Sequence, residues 1–110
     1  MERTIIVFGD YFYEFLQKLS EPERKKLDYV LDVVATSDQI PKKFVKYIEK
    51  ELYEIRMEFQ SNTYRIFFMF EAGKLVILFN GFQKKTQKTP KSEIEKALKI
   101  KAEYYASKRK

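Results

Sequence analysis

The residues of this 110-residue chain best suited to chemistry are Arg56, Arg65 and the lysines that follow Gln83. A guanidinium stays charged at any accessible pH and grips two phosphate oxygens in a fork. Glu54 and Glu58 flank Arg56 at alternate positions, where a carboxylate can act as acid or base or simply pair with the arginine, the pairing being the preferred reading. Lys84 and Lys85 come next. A lysine ordinarily titrates near about 10.4, and neighbouring cations or burial bring that value down. The chain has no histidine and no cysteine, which removes the commonest general base, the commonest metal ligand, thiolate ligands and disulfides. Carboxylate-bound magnesium stays open, although no residue pattern asks for a metal or another cofactor.

Charge is unevenly placed. Met1 to Gln83 carry 12 basic and 13 acidic residues, a net of −1, whereas Lys84 to Lys110 carry 10 basic and 3 acidic, a net of +7. A one-sided basic region is the footprint of a polyanion binder. A solvated lysine-rich helix face would give the same count.

The elements that must position these groups begin at Glu51. Tyr53, Ile55, Met57 and Phe59 alternate with Glu54, Arg56 and Glu58, a strand pattern. Gln60 to Thr63 form a four-residue turn in this reading, which pairs Phe59 with Tyr64, Glu58 with Arg65 and Arg56 with Phe67. Ala72-Gly73 then turns the chain again, pairing Glu71 with Lys74, Arg65 with Asn80 and Phe68 with Ile77. Arg56, Arg65, Asn80 and Phe82 share one face. The other face collects Ile55, Met57, Ile66, Phe68, Phe70, Leu75, Ile77 and Phe79 as the main core. Phe67, Met69, Val76 and Leu78 also fall on the arginine face, more apolar surface than solvent should see. The C-terminal helix or a partner protein must cover it.

Before the meander, Thr4 to Phe8 read as a strand stopped by Gly9-Asp10. Asp10 caps a helix carrying Phe12, Phe15, Leu16 and Leu19, and Ser20 with Glu23 opens a second with Leu27, Val30, Leu31 and Val34 inward. Pro41 opens a short helix presenting Phe44, Tyr47 and Ile48. After the meander, Thr89-Pro90 starts a basic helix with Ile94, Ala97, Leu98 and Tyr105 on its packing stripe, Tyr104 at the surface, and fraying from Ser107 to Lys110. The expected fold is therefore α+β and a single domain. A small antiparallel sheet, the N-terminal strand plus a three-strand meander, is covered by an N-terminal helical hairpin, with a basic C-terminal helix. No run approaches a membrane span and no leader pattern opens the chain, so a cytoplasmic protein is expected.

Strand-helix-helix-meander with Leu-Tyr-Glu-Ile-Arg, Tyr-Arg-Ile-Phe-Phe and Gly-Phe-Gln-Lys-Lys-Thr-Gln-Lys-Thr-Pro, followed by a basic helix, resembles the RelE/ParE toxin superfamily. The likeness is greatest to HigB-like toxins of bacterial and phage toxin-antitoxin modules. It covers nearly the whole chain and is most specific from Leu52 to Ala97. The resemblance implies a basic endoribonuclease that cuts mRNA in the ribosomal A site and is neutralised by a cognate antitoxin, commonly a HigA-like helix-turn-helix protein. The family's functional arginines match Arg56 and Arg65, and its basic residues after the last strand match Lys84 and Lys85, with Gln87 and Lys88 following. Several relatives carry a histidine or tyrosine at the active surface, and this chain has neither between Tyr64 and Tyr104.

Metal-free RNA cleavage needs the 2′-hydroxyl deprotonated, the phosphorane neutralised and the leaving 5′-oxygen protonated. Arg56 and Arg65 suit the second task. Arg65, in the middle of a central strand, needs a partner, and Glu58 across the hairpin is the expected one. Lys84, Lys85, Glu54 and Glu58 are the candidates for proton transfer. Lys91, Lys96, Lys99, Lys101, Lys108 and Arg109 suit contacts with ribosomal RNA backbone. Phe82 can stack on a base, though core packing is the commoner role for an aromatic at a strand end. The same superfamily fold implies two other readings: a ParE-like inhibitor of DNA gyrase that catalyses nothing, and an inactive RNA-binding relative.

Overall fold

The computed structural model describes residues 2–109. In chain order the elements are β1 (Thr4–Val7), α1 (Tyr11–Leu16), α2 (Glu21–Thr36), β2 (Val45–Glu49), β3 (Leu52–Phe59), β4 (Asn62–Glu71), β5 (Leu75–Lys84) and α3 (Lys91–Lys108). Ser20 opens α2 with the expected capping box. Its hydroxyl accepts from the Glu23 N–H at 3.3 Å while the Glu23 carboxylate accepts from the Ser20 N–H at 2.8 Å. Leu27, Val30 and Val34 face inward, as do Phe12 and Phe15 of α1, although Asp10 makes no side-chain cap bond. Among the described residues, no helix is long and apolar enough to cross a membrane.

The fold is α+β, and its sheet has five strands in the order β1-β5-β4-β3-β2. β3, β4 and β5 form the antiparallel meander, while β1 joins β5 in parallel, so the sheet is mixed. Residues after Pro41 do not form the expected helix. A single turn, closed by the Phe44 N–H on the Pro41 carbonyl at 3.0 Å, leads directly into β2. β2 pairs with β3 through a tight turn at Lys50 and Glu51, whose φ values of 50° and 60° lie in the left-handed region. That turn has neither glycine nor asparagine, so the usual hairpin signal is missing. The Lys101 ammonium donates to the Lys50 carbonyl and holds the turn against α3.

Both meander turns differ from expectation, with opposite consequences. Gln60, at φ 54°, and Ser61 make a two-residue connection, so Arg56 stands opposite Arg65 and Glu58 opposite Thr63. Relative to the expected pairing the register slips by two, which leaves every side chain on its expected face. The second turn contains Ala72, Gly73 and Lys74, so Glu71 pairs with Leu75. This one-residue slip turns β5 over. Val76 and Leu78 face the helical hairpin, and Leu75, Ile77 and Phe79 face α3. An irregularity between Ile66 and Phe68 reverses the parity again, pairing Ile66 with Gly81 and Arg65 with Phe82. Phe82 therefore lies on the arginine face as expected.

Two cores result. The hairpin side packs Phe12, Phe15, Leu27, Val30 and Val34 on Ile55, Met57, Ile66 and Phe68. The other side packs Ala97, Ile100 and Tyr104 of α3 on Leu52, Phe67, Met69, Ile77 and Phe79. The apolar excess on the arginine face is covered from within the chain. Of the tyrosine pair it is Tyr104 that packs, donating to Glu71 at 2.9 Å, while Tyr105 stays exposed. Lys108 pairs with the same Glu71 at 2.7 Å, so the helix persists where fraying was expected; Lys110 lies outside the described residues.

At Gly81 the Phe15 ring of α1 lies directly on the sheet. A Cβ there would meet the Phe15 ring at 2.7 Å, closer than carbon atoms approach, whereas a Cβ on Gly73 would meet nothing within 4 Å. Gly81→Ala is expected to cost about 1–3 kcal/mol through overpacking, and Gly73→Ala about 1–2 kcal/mol through its left-handed backbone alone. Urea denaturation combined with Phe15→Leu separates the two causes. The smaller side chain should recover much of the Gly81→Ala loss and none of the Gly73→Ala loss.

Candidate functional site

Arg56 of β3 and Arg65 of β4 occupy directly opposed positions on the face that carries α3. Two like charges so placed repel. Glu54, two residues before Arg56 on the same face, resolves the conflict. Its Oε2 lies 3.1 Å from Arg65 Nε and 3.9 Å from Arg56 Nε, and its Oε1 accepts from the Thr89 hydroxyl at 3.0 Å. Glu54 is 1% exposed, and a buried carboxylate requires such partners. The central-strand arginine thus finds its counter-ion along β3. Glu58, the expected partner, is exposed and forms no ion pair or hydrogen bond among the described residues.

The two arginines differ in access. The Arg65 side chain is 4% exposed and the Arg56 side chain 36%. Arg65 also donates from Nη1 to the Tyr64 carbonyl at 3.1 Å. Burial pulls the Arg65 guanidinium below its usual pKa, Glu54 opposes that and Arg56 adds to it; arginine remains charged throughout. A ligand meets Arg56 first, and Arg65 supplies its charge from beneath.

Lys84, opposite Thr63 on β5, faces the same side. Burial lowers its pKa most, followed by Arg65; Glu54 opposes, and Arg56 and Lys46 lower it further. Lys46 stands opposite Glu54 on β2. With Lys84, Gln87, Lys88 and Thr89, Lys46 lines a cleft of about 320 Å³. Lys46 and Thr89 are not among the residues expected at the site, because the segment after Pro41 reads as helix and Thr89-Pro90 reads as a helix start. In fact α3 starts after Pro90 with no side-chain cap bond.

Other expected residues lie elsewhere. Lys85 and Lys96 line a separate cleft of about 330 Å³ with Lys18, Tyr64 and Phe82. Lys91 and Lys99 are exposed on α3, whereas Lys101 and Lys108 are tied to Lys50 and Glu71 within the chain. Phe82 stacks on Phe67 at 5.7 Å, a packing role. What the structure brings together is Arg56, Arg65, Lys84 and Lys46 around Glu54, with Gln87, Lys88 and Thr89 at the rim. Two carboxylates, buried Glu54 and exposed Glu58, among four cations still leave an excess of positive charge able to hold an oxyanion.

The buried pair is open to a direct check. Glu54→Leu or Arg65→Met alone strands one buried charge and should cost about 3–5 kcal/mol, while the double substitution should cost much less than the sum. Urea denaturation of the three variants measures the coupling; additive losses would mean that the pair is not a unit.

Nothing among curated proteins matches the chain. The family described as phage derived protein Gp49-like (DUF891) does match, over residues 14–102. The matched span runs from α1 into α3 and includes every member of the arginine–glutamate cluster. That family is toxin-like and related to RelE and HigB. The chain belongs to the phage-derived Gp49-like family.

Proposed function

We propose that this protein is the toxin of a toxin-antitoxin module and a metal-independent endoribonuclease that cuts mRNA in the ribosomal A site. The observation that carries this reading is the row of Arg56, Arg65 and Lys84 on one sheet face, held over the single buried carboxylate of Glu54. An inhibitor that only binds a protein has no need of a cation cluster built around a buried counter-ion.

The chemistry divides among these groups. The substrate 2′-oxygen attacks phosphorus, the P–O5′ bond breaks, and the products are a 2′,3′-cyclic phosphate and a 5′-hydroxyl. Arg56 binds the non-bridging oxygens and stabilises the extra negative charge of the phosphorane. Arg65 is a positioning residue, adding charge from below and holding Glu54. Lys84, its pKa lowered by burial and by Arg65, takes the proton from the 2′-hydroxyl. Protonation of the leaving oxygen falls to an exposed cation of the rim or to the ribosome. Glu54 has both carboxylate oxygens engaged and serves as counter-ion. Lys91, Lys96 and Lys99 present charge to ribosomal RNA, and the neutralising partner is a cognate antitoxin, HigA-like with a helix-turn-helix domain.

Primer extension on a defined mRNA, with and without translating ribosomes, tests the activity. Cuts in frame with codons, present only with ribosomes and reduced roughly 10²- to 10³-fold by Arg56→Ala, are expected. Protein that stops growth without cutting would transfer the reading to gyrase inhibition.

The proton role has its own signature. If Lys84 is the base, only its neutral form works, so the single-turnover rate rises with pH and levels off at a value below that of a free lysine. Lys84→Met should lose this limb. An unchanged profile in that variant would assign the proton transfer to another group.

A further inference from the structure

We infer that the cleft beside Arg56 is a nucleobase subsite, with Tyr29 as stacking platform and Glu58 as reader of the base edge. This rests on the nuclease reading above. β2 begins at Val45, opposite Ile55, and the Arg56 N–H still donates to the Phe44 carbonyl at 2.7 Å, so from Met57 to Phe59 β3 is paired with β4 on one edge and has no strand on the other. The space is bounded instead by α2. Lys26, Tyr29, Lys43, Phe44, Arg56 and Glu58 line a cleft of about 280 Å³, close to the lower end of small-ligand sites.

Phe44 belongs to the core under the helical hairpin, and the residues around it have uses in RNA binding that the fold does not consume. Tyr29 is 56% exposed, its ring edge-on to Phe44 at 6.3 Å, and its hydroxyl has no hydrogen-bond partner among the described residues. A ring presented to solvent on a buried aromatic support is a base platform. The ammonium groups of Lys26 and Lys43 lie 5.7 Å and 5.0 Å from the Tyr29 and Phe44 ring centres. A stacking base displaces them, and its flanking phosphates receive them. Arg56 belongs to both the cleft and the cation row, so a strand whose phosphate sits on Arg56 delivers a neighbouring base here. Glu58 is the acceptor within reach. Guanine offers adjacent N1–H and N2 amino donors that match two carboxylate oxygens, whereas uracil sets carbonyl oxygens on both sides of its one N–H.

The test is an NMR titration of the protein with guanosine and uridine 5′-monophosphates, which needs neither ribosome nor turnover. The guanine nucleotide should shift the Tyr29 and Phe44 ring signals and bind tighter than the uracil one. Tyr29→Ala should weaken it by roughly 5- to 100-fold, Tyr29→Phe should retain it, and Glu58→Gln should erase the preference. Tyr13→Ala, at an exposed ring outside the cleft, should change nothing. Ring signals that do not move, or Tyr29→Ala binding like the wild type, would overturn the subsite. Those results would leave cleavage by the Arg56 row untouched, just as guanine-selective binding would survive a failure to cut mRNA.

Discussion

A single carboxylate with under 2% of its surface exposed, Glu54, lets two arginines stand side by side on neighbouring strands. Without it the opposed guanidiniums would push β3 and β4 apart at the part of the hairpin where Arg65 is buried. With it, β3, β4 and the segment before α3 are tied together, because Thr89 donates to one carboxylate oxygen and the arginines crowd the other. Such a group is a weak source of stability and a strong source of geometry. It fixes where the Arg56 guanidinium lies and where the exit from β5 turns, and thereby how close Lys84 comes to both arginines.

The helical hairpin was legible because its signals are local. Ser20 and Glu23 form a capping box within four residues, Pro22 sits in the first turn, and the stripe from Leu27 to Val34 needs nothing outside α2. The co-facial arginines were legible for a different reason: misjudging the first turn by two residues keeps alternation intact. The same reading failed on β5, where one extra turn residue, Lys74, inverted Val76, Ile77 and Leu78, and where the irregularity near Phe67 restored Phe82 to its place. β2 was invisible because Lys46 interrupts a short apolar run and the Lys50-Glu51 turn depends on a lysine from α3. Lys46 and the cleft beside Arg56 were hidden for the same reason, since both follow from where β2 starts and stops.

The basic excess after Gln83 proves to be several things at once. Lys84 belongs to the cation row and Lys85 to a different cleft, while Lys101 and Lys108 fasten α3 to the β2–β3 turn and to Glu71. Net charge therefore says little about which lysines meet a polyanion. Those that remain in solvent, Lys91, Lys96 and Lys99, lie on a helix whose inner surface closes the second core.

That helix also explains why a site exists on this face at all. α3 and the charged row share one side of the sheet, and a helix continuing straight from β5 would bury both. Pro90 limits this, because it cannot extend a helix backward past its own first turn. Residues 85–89 therefore cross the end of the sheet as a loop before α3 turns down over Phe67, Met69, Ile77 and Phe79. The Phe67–Phe82 stack marks the boundary: apolar residues beyond it lie under the helix, and Arg56, Arg65 and Lys84 before it do not. Anchored by Thr89 on Glu54, the loop holds the helix at that boundary, so the contact that orients the arginines also leaves Arg56 open to a ligand.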